Sequence, residues 1–311
     1  MSVARPDTAA RAAADHAART SYGRLVAILA ARTRDIAQAE DALADAFAAA
    51  LQAWPRDGVP GNPAAWLLTV ARRRTLDDWR HSQVTQDAHD ALLAVADELG
   101  HDAQAGAVPD ERLRLLFVCA HPAIDAAARA PLMLQAVLGL DVARMAGAFM
   151  AAPATLSQRL VRAKARIRAS GISFEYPQTL DLPQRLQDVM DGIYAAYGTG
   201  WDDVEGADAA RQGLTGEAIE LGRILCALMP QAPEPSGLLA LMLFCEARAP
   251  ARRDGTGAYV PLAQQDTTRW QRALMDEAEA LLQAAARHAA PGPYQLEAAI
   301  QSAHTQRCLG A

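Results

Sequence analysis

The sequence predicts an all-α protein. Ala, Leu and Arg dominate it, β-branched residues are sparse, and aromatic residues make up only 5% of the chain, a balance that favours helix nearly everywhere. Apolar residues also recur at helical spacing, as in Leu156, Leu160, Ala163 and Ile167. With 311 residues, of which 51% are apolar, the chain is long enough to form two or three domains with buried cores.

Breaker residues and changes of periodicity divide the chain in order. The interruption "WPRDGVPGNPAA" at 54–65, inside the first helical segment, holds three prolines and two glycines. The predicted segments are a flexible tail (1–18), a helical domain (19–82), a polar linker (83–110), a second helical domain (111–172) and a helical C-terminal part (180–311).

Charge is distributed unevenly along the chain. Residues up to 171 contain 20 Lys and Arg against 18 Asp and Glu, and the remainder contains 10 against 18. The stretch "TLSQRLVRAKARIRASG" at 155–171 carries five cations and no acid. A net charge of −6 argues against polyanion binding by the whole surface but leaves room for basic patches in one half.

Other function classes find little support in the sequence. The seven histidines lack a Ser, Cys or carboxylate constellation at useful spacing, and no phosphate-binding glycine loop occurs, so we do not expect an enzyme. The four cysteines form no CxxC pair, which predicts free thiols, with neither metal nor cofactor. The chain shows no signal peptide and no run suited to a membrane helix, so we expect a cytoplasmic protein.

The basic stretch at 155–168 predicts a helix with one packed face and two polar flanks. Thr155, Arg159, Arg162 and Arg166 share one flank, and Ser157, Lys164 and Arg168 share the other. Upstream, "DVARMAGAFMAAPATL" gives a second apolar stripe, a short turn and Pro153, which suits a first helical turn. This is a helix-turn-helix pattern, with Gln158 among the residues near base edges. The alternative is a surface helix with solvated arginines.

A second basic helix is predicted within "GNPAAWLLTVARRRTLDDWRH" at 61–81. Arg73, Asp77 and Arg80 share one face, and the preceding Pro/Gly loop can present Asn62 to a partner. A solvated helix with local Arg–Asp pairs would give a similar pattern. Upstream, the helix at 35–54 has an acidic edge at Asp41 and Asp45, which suits docking on another protein's helices or simple solvation.

The order of these parts resembles the extracytoplasmic-function (ECF) sigma factors of bacterial RNA polymerase. "AEDALADAFAAALQAWPRDGVPGNPAAWLLTVARRRTLD" resembles sigma region 2, and "PDERLRLLFVCAHPAIDAAARAPLMLQAVLGL" followed by "ATLSQRLVRAKARIRASGISFE" resembles region 4. "LLALMLFCEARAPAR" and "PGPYQLEAAIQSAH" are similar to parts of the C-terminal extension, related to tetratricopeptide repeats, of one sigma subgroup. The resemblance implies two small sigma domains joined by a linker, followed by that extension in a shortened form.

The resemblance also implies partners and site residues. Core RNA polymerase would bind through its largest-subunit clamp, promoter DNA through the −10 and −35 elements, and a regulatory protein through the extension. The implied polymerase-binding residues are Asp41, Asp45 and Phe47. The implied −10 residues are Asn62, Trp66, Arg72, Arg73, Arg74, Asp77 and Arg80. The implied −35 residues are Thr155, Ser157, Gln158, Arg159, Arg162, Lys164 and Arg166.

Some positions depart from the family pattern. Arg73 replaces an Asn usual in region 2, and Ala44 replaces a Gln of the docking helix, so −10 reading and polymerase binding are expected to be altered. A different function class also fits the residues: a helix-turn-helix regulator that never touches polymerase. Promoter-dependent transcription with purified core polymerase separates these two hypotheses.

Overall fold

The computed structural model describes residues 6–82, 111–178, 180–201 and 209–309. The predicted linker at 83–110 lies outside these residues. In the described part, regular structure is helical, with one isolated antiparallel bridge between Arg253 and Tyr259. The prediction of an all-α fold is therefore confirmed.

The described α-helices are numbered here in chain order. They are α1 (Pro6–Thr33), α2 (Ile36–Asp57), α3 (Pro63–Ser82), α4 (Arg112–Cys119), α5 (Ala126–Leu138), α6 (Val142–Ala146), α7 (Pro153–Ala169), α8 (Leu182–Trp201), α9 (Ala209–Leu228), α10 (Pro233–Ala247), α11 (Arg272–Ala286) and α12 (Pro293–Leu309). Short 3₁₀ turns at Ala249–Ala251, Leu262–Gln264 and Thr267–Arg269 connect α10 to α11.

The chain forms two compact units. The first comprises Met1–Asp141 with Ser157–Arg185, and the second comprises Val142–Leu156 with Leu186–Ala311. The predicted segments group the chain differently, because helices from both 19–82 and 111–172 pack together in the first unit.

Helix α1 is the centre of the first unit. It packs against α2, α3, α4 and α5, and it begins at Pro6, inside the segment predicted to be a flexible tail. The buried residues Ala10, Ala14 and Ala17 explain the difference. Their spacing of four and three residues places them on one face, so the small side chains of this segment extend the packed surface.

Two glycines allow α1 and the end of α5 to approach closely. A Cβ added to Gly23 would lie 1.8 Å from the backbone oxygen of Val137, so only glycine fits there. Gly139 ends α5 in the left-handed region at φ 72°, as is common for a residue that terminates a helix. Its Cα faces the ring of Tyr22.

Helix α10 is the centre of the second unit. Its run from Leu238 to Phe244 is buried throughout, and α9, α11 and α12 pack around it, as expected for a helix that is apolar on all sides. The carboxylate of Glu234 accepts hydrogen bonds from the backbone N–H groups of Tyr294 and Gln295, both at 3.1 Å, and so holds the first turn of α12. None of the helices in the described ranges is both long and apolar enough to cross a membrane.

Candidate nucleic-acid interface

Helix α2 presents the predicted acidic edge to solvent. Its packed face is made of small and apolar residues, including Ala39, Leu43 and Trp54. Asp41 and Asp45 are exposed, and Phe47, which lies on a different face of the helix, is half-buried. The two carboxylates follow one another at four-residue spacing, so they lie together on one helix face and are free to meet a basic partner.

The loop between α2 and α3 ends in a helix cap. The side-chain oxygen of Asn62 accepts a hydrogen bond from the backbone N–H of Ala65 at 3.1 Å, which satisfies one of the donors left open at the start of α3. The Asn62 side chain is exposed. Its NH₂ group can therefore still donate to a ligand while its oxygen caps the helix.

Trp66 lies between the protein core and the surface. It is half-buried, and its ring meets that of the buried Trp54 edge-on, with ring centroids 5.5 Å apart and planes at 66°. Trp54 holds Trp66 in one orientation by this aromatic contact. The remaining exposed part of the Trp66 ring can stack on an unpaired base.

The arginines of α3 divide into buried and exposed ones. Arg72 is only 7% exposed, which differs from the expectation that it contacts DNA. It follows the buried Leu68 by four residues and so lies on the packed face of the helix. Arg73 and Arg74 are exposed. The side chains of Asp77 and Arg80, the remaining predicted −10 residues of α3, lie outside the described residues.

A tight turn connects α6 to α7. The backbone N–H groups of Phe149 and Ala151 donate to the carbonyls of Met145 and Ala146, and Met150 takes a left-handed conformation at φ 47°. Pro153 is the first residue of α7, as predicted from its fixed φ and missing N–H. The local geometry is thus that of two short-linked helices, the second of which is basic.

The predicted apolar stripe of α7 is confirmed. Leu156, Leu160, Ala163 and Ile167 are all buried. The exposed residues among the predicted −35 set are Thr155, Ser157, Gln158, Arg162 and Arg166, and Arg159 is half-buried. Burial of one stripe with exposure of most of the flanking polar residues suits a helix that lies in the major groove.

Lys164 differs from the other predicted −35 residues. Its ammonium group forms an ion pair with Glu40 of α2, and the two side chains are only 11% and 16% exposed. One turn further along α7, Arg168 pairs with Asp35 at 3.3 Å. Both partners belong to the first unit. Two cations of α7 are therefore engaged by carboxylates of the chain itself.

Asp35 and Glu40 are not among the site residues predicted from the sequence. Asp35 sits at the N-cap of α2, where its Oδ1 accepts from the N–H groups of Ala37 and Gln38, and its role as a cap was recognisable from residue type. Glu40 directly precedes Asp41 in the sequence, but the acidic edge predicted from the sequence includes only Asp41 and Asp45. Its partner Lys164 lies 124 positions later in the chain, so no local sequence pattern predicts the pair.

Burial dominates the electrostatics of Glu40. Desolvation raises the pKa of this carboxyl group, and the charge and hydrogen bond of Lys164 offset that effect only in part. Its Oε1 is buried and accepts no hydrogen bond from the described part of the chain. Removing such a carboxylate from water costs free energy that the ion pair with Lys164 offsets only in part.

Comparisons with known proteins give a family for part of this site. Residues 18–85, which cover α2, the capped loop and α3, match sigma-70 region 2, and residues 185–286 match a family of unknown function, DUF6596. The first match identifies a sigma-70 region 2 domain and confirms that part of the resemblance.

Two further comparisons concern a relative of the chain and the solved structures. An uncharacterized protein of Rhizobium meliloti (strain 1021) is 41% identical over 278 residues, which are 88% of this chain and 66% of that relative. The chain thus spans about two thirds of the relative's length. No solved structure matches the chain.

Proposed function

We propose that the chain is a sigma factor of the ECF type, which binds core RNA polymerase and directs it to promoters. The observation that carries the proposal is the sigma-70 region 2 match at 18–85. It falls on a described set of helices that expose an acidic edge and, separately, Asn62, Arg73 and Arg74. The proposed role is binding rather than catalysis.

The proposal gives each exposed group a partner. Asp41, Asp45 and Phe47 bind the clamp of the largest polymerase subunit. Asn62, Trp66, Arg73 and Arg74 contact the −10 element, where cations meet phosphates and the tryptophan ring stacks on a melted base. The burial of Arg72 assigns that residue to holding α3 in place.

Helix α7 provides the −35 contacts in this proposal. Its leading residues Thr155, Gln158 and Arg159 read base edges, while Arg162 and Arg166 bind phosphates. Because both DNA elements are contacted by one chain, the second contact is effectively intramolecular, and modest affinities combine into useful selectivity. The C-terminal helices, similar in sequence to a repeat extension, receive a regulatory protein.

A polymerase pull-down tests the proposal. Immobilised wild type should recover bacterial core RNA polymerase, and Asp45→Arg should recover about tenfold less, because a like charge is placed against a basic partner. Asp57→Arg is the matched control, since it makes the same change at an exposed site near the end of the same helix. Equal recovery by Asp45→Arg and Asp57→Arg would contradict the docking assignment.

An in vitro transcription experiment with the purified chain and core polymerase distinguishes a sigma factor from a regulator that binds only DNA. Purified chain added to core polymerase should give transcripts from a subset of promoters on bacterial genomic DNA, as read by sequencing of 5′ ends. DNA binding without any recovery of polymerase or any transcript would favour the regulator instead.

A further inference from the structure

Lys164 is the only lysine in the chain: the 30 Lys and Arg residues comprise 29 arginines and this one lysine. It lies on the basic helix α7, where DNA contacts are proposed, yet its side chain is only 11% exposed and paired with Glu40 of α2. A cation in this state cannot bind a phosphate unless the pair opens.

A second pair supports the first. Arg168, four residues along the same helix, reaches Oδ2 of Asp35 at 3.3 Å; Asp35 is 14% exposed, whereas Arg168 is 75% exposed, so this second pair lies at the protein surface. The other carboxylate oxygen of Asp35 caps α2. Two carboxylates at the start of one helix therefore meet two cations in the second half of another, and we name these four residues the α2–α7 clasp.

We infer that the α2–α7 clasp is an autoinhibitory contact, in which Asp35 and Glu40 take the place of DNA phosphates on Lys164 and Arg168. Duplex DNA competes with these carboxylates and opens the clasp. The inference rests on the proposed function, because it concerns the same recognition helix. It adds that the free chain withholds part of its DNA-binding charge.

The clasp leaves the proposed polymerase-docking edge open. Asp41 and Asp45 are exposed and lie on a different face of α2 from Glu40, since adjacent helix positions are about 100° apart. The closed clasp therefore limits DNA binding without covering the acidic edge. A free chain can bind polymerase first and engage the −35 duplex afterwards.

The clasp is also suited to opening. Within the described ranges Oε1 of Glu40 accepts no hydrogen bond, and a partly buried pair that is imperfectly satisfied contributes little net stability. A DNA duplex that supplies several phosphates at once can replace the two carboxylates of the clasp, because each new phosphate contact releases counterions and so adds to the binding free energy.

The first experiment measures the clasp without DNA. N-hydroxysuccinimidyl acetate modifies amines, and only Lys164 and the N-terminal amine can react, so mass spectrometry of the Lys164 peptide reports one site. Glu40→Gln should accelerate acetylation of Lys164 about fivefold, and Asp57→Asn should leave it unchanged. An unchanged rate in Glu40→Gln would overturn the inference.

The second experiment measures competition with DNA. Fluorescence anisotropy with a mixed-sequence 30-base-pair duplex should show binding about fivefold tighter for Asp35→Ser/Glu40→Gln than for wild type. Serine retains an N-cap. The matched control is Asp125→Ser/Asp57→Asn, which also removes two charges from the first unit, one of them at the N-cap of α5. An equal gain in the control would show a net-charge effect and overturn the inference.

The outcomes separate the inference from the proposed function. Faster acetylation with no binding of duplex by any variant would establish the clasp but refute the DNA-binding role, and with it the competition. Binding of duplex that Arg159→Ala weakens but that the clasp variants leave unchanged would retain the proposed function and refute the inference. Melting curves of all variants verify that each is folded.

Discussion

At the scale of the residue, burial divides the cations into two kinds. Arg72 and Lys164 resemble their neighbours in sequence, but they are only 7% and 11% exposed, whereas Arg73, Arg74 and Arg166 are open to solvent. An exposed arginine can exchange water for phosphate at little cost. A buried cation must first give up its protein partners, so it is not directly available to a ligand.

The proposed −35 residues should have separable effects. Arg159→Ala should lower the preference for a duplex selected by the wild type over its scrambled form by about 1–3 kcal/mol, because a base contact is lost. Arg166→Ala should weaken binding to both duplexes alike, since a phosphate contact is lost. It should also reduce the slope of log affinity against log salt concentration by about 1. Titrations at two salt concentrations measure both quantities.

Arg166 suits this comparison better than Arg168, because Arg168 is paired with Asp35 and its removal also disturbs the clasp. If Arg159→Ala and Arg166→Ala changed specificity and salt slope in the same way, the division between base and phosphate contacts would be wrong.

At the scale of the element, backbone approach determines which helices can pack. The contact of α1 with the end of α5 depends on Gly23, whose missing side chain leaves room for the carbonyl of Val137. Helix propensity alone disfavours glycine at this position by about 1 kcal/mol relative to alanine. Tertiary packing therefore overrides local preference here.

Gly23→Ala should destabilise the protein, because its Cβ would lie 1.8 Å from a backbone oxygen that cannot move aside as a side chain does. We expect a loss of about 1–3 kcal/mol or more, measured by urea unfolding. Gly216→Ala is the control within α9, where an added Cβ meets nothing within 4 Å, so it should be neutral or stabilising. A neutral Gly23→Ala would show that α1 and α5 do not approach as described.

At the scale of the whole molecule, the C-terminal helices and the first helix of the basic pair share one compact unit. α6 packs against α9, Met145 and Ala146 are buried, and Arg144 lies 3.6 Å from Glu217. That ion pair is exposed and contributes little by itself. Burial of the apolar residues is the larger effect, so the C-terminal part holds α6 in place.

A fragment consisting of residues 1–181 should therefore expose α6. Limited digestion with trypsin, followed by mass spectrometry, should show faster cleavage after Arg144 in the fragment than in the full chain, because local unfolding admits the protease. Cleavage after Arg73 in α3, which belongs to the first unit, is the internal control. Equal cleavage after Arg144 in both proteins would show that α6 is stable without the C-terminal helices.

The sequence by itself determined the all-α class and the buried stripe of α7, and it identified the resemblance to sigma region 2. Each depends on composition, spacing or motifs, which the chain carries locally. It did not reveal the helical start at Pro6, since most of the stability of a helix in a protein comes from packing against other elements, which the local sequence does not report.

Only the tertiary structure decided which cations are available. Spacing assigns Lys164 and Arg168 to one flank of α7, but their carboxylate partners lie 124 and 133 positions earlier in the chain. The same is true of Arg72, whose helix face is fixed by sequence but whose burial depends on the packing of neighbouring helices. An ion pair forms where the fold brings opposite charges together, and its energy depends on how much water the fold removes.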